Sequence, residues 1–244
     1  MTSTSPDPSQ PERTLAVLQP GYLPWLGFFD QMRRADVFVY YDDVQYDKHG
    51  WRNRNRIKST SGPHWLTVPV RHAGLGKPLV LDVEIDGGSP WARKHLGSIR
   101  QYYKDAPYLT KYWPELEELL QRKWDRLVEL NLSATAMIAG WLGITTCSFR
   151  SSALGIDGER SERLLKLCQR FGATKYLSGN AAESYLDVEL FRQNGVVVEW
   201  QNYRHPTYRQ LHGAFVPYLS AVDLLLNCGQ DGGRILRGDV RGSE

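Results

Sequence analysis

Cysteine is scarce in this 244-residue chain: Cys147, Cys168 and Cys228 are far apart and odd in number. No C-x-x-C occurs, so neither a disulfide framework nor a zinc knuckle organises the fold. Each cysteine lies in an apolar run, which predicts a buried structural role rather than a nucleophile. A reduced, cytoplasmic setting is the simplest expectation. Long hydrophobic stretches are missing too. No apolar run approaches the ~20 residues that span a bilayer, so no membrane partner is expected. The opening MTSTSPDPSQPE is polar and proline-rich, and reads as a disordered tail over residues 1–12, not a signal peptide. Neither G-x-G-x-x-G nor G-x-x-x-x-G-K-[ST] occurs, so dinucleotide and Walker-type NTP sites are not signalled. The net charge of +3 is too small to imply nucleic acid by itself, and any electrostatic argument must be local.

What the chain does hold is aromatic surface: 8 Trp and 13 Tyr. These rings carry polar handles, and many of them on loops favour a ligand cleft over a plain core. The length suits one large domain or two small ones, and 41% hydrophobic residues suffice for a full core. We take residues 13–236 as a single α/β domain and 237–244 as a flexible tail.

Residues 14–19 (TLAVLQ) and 36–43 (DVFVYYDD) read as strands. Between them Pro24 is placed to start a helix, with Trp25, Phe28, Phe29 and Met32 at helical spacing. Strand, helix, strand over this distance is a βαβ unit, so the two strands are expected to be parallel. HWLTVPV (64–70) and LVLDVEI (79–85) suggest an antiparallel pair joined by RHAGLGKP. About residues 90–143 the periodicity is helical, with Pro114 as a starter and Gly143 as a stop. Strands follow at 145–150, 175–179 and 196–200, separated by an amphipathic helix closed by Gly172 and a second helix capped by Asp187. A last helix starts at Ser220. The expected fold is α/β: a mostly parallel central sheet flanked by helices, a small antiparallel section and a helical middle.

In open parallel sheets ligands bind beyond the carboxyl ends of the strands. Here those ends are polar: Gln19-Pro20-Gly21-Tyr22, Asp42-Asp43 and Ser178-Gly179-Asn180. Asp42 and Asp43 are either turn formers or a catalytic carboxylate, and adjacent strand side chains point to opposite faces. Immediately downstream lies WRNRNRIK (51–58). If extended, it puts Arg52, Arg54, Arg56 and Lys58 on one face and Asn53, Asn55 and Ile57 on the other. A guarded edge strand would account for lysine. Repeated arginine favours planar recognition of phosphate or carboxylate, with asparagine reading amides or hydroxyls. A small anionic or activated substrate is preferred to nucleic acid, because no broad basic stripe accompanies the segment. In YRHPTYRQLHG (203–213), His205 sits in a proline-bounded loop and suits proton transfer. His212 lies seven residues on, without metal-ligand spacing. His64 and His95 are read as structural. No metal and no cofactor is expected.

LQPGYLPWLGFFDQMRRADVFVYYDDVQYDKHGWRNRNRIK, WLTVPV, YLSGNAAESYLD and HPTYRQLHGAFVPYLSAVDLLLNCG together resemble the WbqC-like proteins, from Thr14 to Gly229. Arg209 departs from the pattern, which has proline there. The resemblance implies a biosynthetic enzyme of surface-polysaccharide or natural-product pathways, transferring an acyl or aminoacyl group to an amine. It coincides with Gln19, Tyr22, Asp43, Asn53, Arg54, Asn55, Arg56, Gly179, His205, Tyr208 and Gln210. In that scheme Asp43, Asp42 or His205 is the base, the arginines hold the donor's anion, Asn53, Asn55 and Gln210 orient polar groups, and Tyr22 and Tyr208 donate to an oxyanion. The alternative is an RNA- or tRNA-binding module built on residues 48–58.

Overall fold

The computed structural model describes residues 12–48, 50–71 and 76–239. Along these the chain runs β1 (Thr14–Leu18), α1 (Leu26–Arg34), β2 (Val37–Tyr40), β3 (Arg54–Ser59), β4 (Gly62–Thr67), β5 (Val70–Arg71) and β6 (Glu84–Ile85). It continues through α2 (Trp91–Tyr102), α3 (Leu109–Gln121), α4 (Leu127–Trp141), β7 (Cys147–Arg150), α5 (Arg160–Arg170) and β8 (Lys175–Ser178). The last elements are α6 (Val188–Gln193), β9 (Val197–Trp200), α7 (Ala221–Cys228) and α8 (Gly232–Arg237). Two compact units result. One holds the residues up to 19, 30–41 and 145–204; the other holds 20–29, 42–144 and those from 205 onward.

The first unit is built on a five-stranded parallel sheet in the order β7-β2-β1-β8-β9. The β1–β2 register, Leu15 against Val37 through Leu18 against Tyr40, is the parallel pairing that a βαβ unit demands. β1 pairs with β8 on its other side. Leu15, Val17, Val37, Val39, Tyr176 and Phe191 join one buried cluster with residues of α5. These strands are short, and β2 is buried along its whole length, as strands covered on both faces should be. Asp187 caps α6 by accepting the Leu190 N–H (3.0 Å), and Gly172 (φ +60°) supplies the left-handed turn beyond α5.

In the second unit β3 and β4 form an antiparallel hairpin and β5 and β6 a two-residue antiparallel pair. The helical middle of the chain resolves into α2, α3 and α4. Trp124 follows α3 and donates its indole N–H to Leu119 O (2.8 Å), satisfying a carbonyl that the helix end leaves open. Ser220 caps α7 through the Val222 N–H (3.3 Å), and α7 is buried from Ala221 to Asn227. The α/β architecture is therefore as expected from the sequence. No helix among the described residues is long and apolar enough to cross a membrane.

Several local expectations need correction. Residues 64–67 pair back on the basic segment rather than forward on 79–85, because Thr60 and Ser61 make a tight turn into Gly62 (φ +107°). Only Val70–Arg71 meets Glu84–Ile85, and residues 80–82 form a single 3₁₀ turn. Helix α1 begins at Leu26, after Pro24, whose carbonyl accepts the Ala221 N–H (2.9 Å). Pro114 lies inside α3 rather than at its start. Helix α8 follows α7, so the helix from Ser220 is not the last. Cys147 is exposed while Cys168 is buried, since β7 ends the strand order. Residues 1–11 of the expected N-terminal tail, and 240–244 of the C-terminal one, lie outside the described residues.

Candidate functional site

The basic segment is extended, and alternation sorts it. Asn53, Asn55 and Ile57 are buried, while Arg54 and Arg56 stay half-buried on the other side. Lys58 continues the arginine side yet is only 1% exposed. Its ammonium donates to the carbonyls of Gly213 (3.2 Å) and Ala214 (2.6 Å). Burial pushes Lys58 below the usual lysine range, and the Asp223 charge opposes that shift.

The two arginines lie on tryptophan. The Arg54 guanidinium sits 4.9 Å from the Trp65 ring centre, and that of Arg56 sits 5.2 Å from Trp51 and 5.5 Å from Trp65. The two indoles are 5.1 Å apart at 33°. Both remain 44% exposed. Hairpin register explains the stack, since Arg56 faces Trp65 directly across the ladder. Arg56 also donates to Tyr218 O across a long 3.4 Å.

Tyr218 ties this surface to His205, whose ring is 5.1 Å away. Phe215 and Tyr208 flank His205 at 5.8 and 6.2 Å. His205 Nδ1 lies 2.8 Å from Pro206 O. A carbonyl only accepts, so Nδ1 carries the proton and the lone pair is on Nε2. Burial holds His205 below the usual histidine range, with the Pro206 hydrogen bond working the other way. Tyr218 adopts φ +59°, a conformation that bulky residues rarely take outside constrained sites.

Asp223 organises the same loop from beneath. Fully buried on α7, it accepts from Tyr103 (2.6 Å), Tyr208 (2.8 Å) and Gln210 Nε2 (2.7 Å). Burial pushes its carboxyl up, while the three donors and Lys58 oppose the shift. Gln210 also clasps Val216 through both amide atoms. On the facing side Tyr22 donates to His95 Nδ1 (2.9 Å), because His95 Nε2–H is used on Thr67 O (3.2 Å).

Five expected substrate contacts are therefore committed within the protein. Tyr22 and Tyr208 are buried and give their hydroxyl protons to His95 and Asp223, so neither is set to serve an oxyanion. Asn55 donates to Leu23 O (2.7 Å) and Tyr22 O (3.3 Å) and accepts the Arg56 N–H. That clasp holds Leu23 at φ +41°. Asn53 donates to Val68 O (2.8 Å), and Gln210 is spent on Val216 and Asp223. Arg54 and Arg56 both lie on Trp65, and Arg56 reaches Tyr218, whose ring packs on His205. Asp42 is fully buried, its carbonyl accepting the Leu81 N–H (2.8 Å), while Asp43 keeps part of its surface.

Gln19 and Gly179 belong to the first unit, just past the ends of β1 and β8. A Cβ on Gly179 would lie 3.2 Å from Gln31 Nε2. Gln31 donates to Gln201 Oε1 (2.8 Å), and Gln201 donates to Asp30 (2.9 Å). Among the described residues no group of three His, Cys, Asp or Glu is placed to hold a metal ion.

Sequence reasoning missed Trp51, Trp65, Tyr218, Tyr103 and Asp223. Asp223 had a readable signal: a lone acid inside the apolar run AVDLLLN. Trp51 and Trp65 had a weaker one, being the two aromatics bracketing the arginines.

Comparison with known proteins yields one curated relative, "Uncharacterized protein Rv1507c" of Mycobacterium tuberculosis. It is 37% identical over 227 residues, covering 92% of this chain and 98% of the relative. No solved structure matches the chain. The model of the WbqC-like protein family matches residues 19–235, a span that contains β3, the His205 loop and α7, and the chain belongs to that family.

Proposed function

We propose that the protein is a biosynthetic transferase that moves an acyl or aminoacyl group from an activated donor to an amine, on a sugar or a natural-product intermediate. One observation carries this reading. A histidine in its base-competent tautomer is linked through Tyr218 to the guanidinium of Arg56 on β3, Tyr218 touching both His205 and Arg56. In this scheme the amine nitrogen attacks the donor carbonyl carbon. The C–N bond forms as the bond to the leaving oxygen breaks. His205 Nε2 takes the amine proton, and the leaving group departs as an anion held by Arg54 and Arg56. Asp43, part-exposed, is the second candidate base.

The test is turnover of activated acyl and aminoacyl donors with amino-sugar and polyamine acceptors, read by product mass. His205→Ala should lower kcat by ~10²–10⁴, while Arg54→Ala and Arg56→Ala should mainly raise KM, by about tenfold or more. Folded His205→Ala and Asp43→Asn proteins with full activity would remove the proposed bases. The RNA-binding reading draws on the exposed Trp51 and Trp65. It requires affinity for single-stranded RNA that falls steeply with salt.

A further inference from the structure

The arginine and tryptophan surface of β3 and β4 adjoins a cleft that has no part in the scheme above. The cleft encloses about 630 Å³ and is lined by Gln45, Tyr46, Asp47, Lys48, Lys77 and Pro78. That volume is ordinary for a small-molecule site. A turn closed by the Gly50 N–H on Asp47 O (3.3 Å) leads from the cleft wall directly into Trp51. The electrostatics agree: Arg54 and Arg52 both lower the Tyr46 phenol, against the larger upward push of burial and of Asp47.

Two features of this surface call for a ligand with two different parts. The first is cationic capacity left unused. Arg56 makes one long hydrogen bond, to a carbonyl, and no ion pair among the described residues. Lys48 and Lys77 are exposed and have no carboxylate partner among the described residues. The second is π surface left in water. Trp51 and Trp65 are each 44% exposed. A phosphate alone would need the cations but not the indoles. A neutral sugar would use the indoles but not the row of cations. Phosphate joined to a flat heterocycle uses both, by stacking and by charge-assisted hydrogen bonds.

We propose that the Trp51–Trp65 platform and the adjoining cleft bind a nucleoside phosphate, the base against an indole and the phosphate between Arg56, Arg54 and Lys48. The inference takes the donor-clamp reading as its starting point and names the donor's activating group as a nucleotide. The nucleotide has two sources, a free nucleotide ester or the 3′ end of an RNA.

Titration of the full-length protein by calorimetry and by tryptophan fluorescence tests it. The probes are AMP, UMP, adenosine, inorganic phosphate and a short single-stranded RNA ending in CCA. A nucleoside monophosphate should bind at least tenfold more tightly than adenosine or phosphate and quench the indole emission. Trp65→Ala should weaken the nucleotide about tenfold and leave phosphate unchanged; Arg56→Ala should weaken both. Trp51→Ala, also at an exposed position, repeats the first measurement should Trp65→Ala fail to fold. RNA binding tenfold tighter than the monophosphates supports the site with an RNA end as source, and equal binding supports it with a free ester. Phosphate binding as well as the nucleotides, or nucleotide binding untouched by both tryptophan variants, overturns the inference. Acyl transfer in the absence of nucleotide binding would overturn this inference alone, whereas nucleotide binding without transfer would count only against the transferase reading.

Discussion

Asp223 shows how much one side chain settles here. Its carboxylate accepts three hydrogen bonds in a fully buried position, and two of them hold Tyr208 and Gln210, which follow His205 in the same loop. In Asp223→Asn an amide N–H₂ replaces an acceptor and confronts a donor. The expected loss is about 1–3 kcal/mol, seen as a lower urea midpoint at unchanged m-value. A change no larger than that of a surface substitution would argue against this role. His95 supplies a pH signature. Burial, aided by the His64 charge and opposed by the Thr67 hydrogen bond, holds it at about 4, below the ~6.5 of an unfolded chain. The unfolded state therefore takes up the proton first. This stability is complete above about 6.5 and is lost as pH falls from there through about 4, roughly 3 kcal/mol in all. His95→Gln should flatten the unfolding free energy across that window, and an unchanged slope would place its origin elsewhere. At this scale the sequence was half legible. Alternation named the two sides of β3, but the burial of Lys58 comes from Gly213 and Ala214, 155 and 156 positions away, which no local pattern reports.

Whole elements depend on a few close approaches. Gly229 ends α7 at φ +59°, and a Cβ there would meet the Tyr108 ring at 2.4 Å. Tyr108 N–H in turn donates to Leu226 O (3.1 Å), so the start of α3 and the end of α7 are fitted to each other. Gly229→Ala adds both a strained backbone and an overlap with a ring, and should cost about 1–3 kcal/mol. Thermal unfolding would register the drop, and a variant as stable as the parent would mean that Tyr108 moves aside freely. Helix existence was readable in the sequence because periodicity is strong over 90–143. Boundaries were less so. Proline was read as a start signal at Pro24 and Pro114, and neither residue starts its helix, since tertiary packing outweighs a single local preference. The pairing of 64–67 with the basic segment was also hidden, because its tight turn carries Thr60 and Ser61 rather than Asn-Gly.

Across the molecule the order β7-β2-β1-β8-β9 puts the point where the strand order reverses between β1 and β8, where such sheets most often receive ligands. Gln19 and Gly179 stand at that point, which is why a topological rule could single them out before any contact was known. Val37 faces Cys147 in the sheet, about 110 positions later, so closing that pairing costs roughly 4 kcal/mol of chain entropy. During translation at roughly 5–20 residues per second, β1 and β2 therefore leave the ribosome many seconds before either outer neighbour exists. Through that interval two apolar strands present unfilled edges to the crowded cell, and the nascent chain has its greatest need of a chaperone well before its last helix is made.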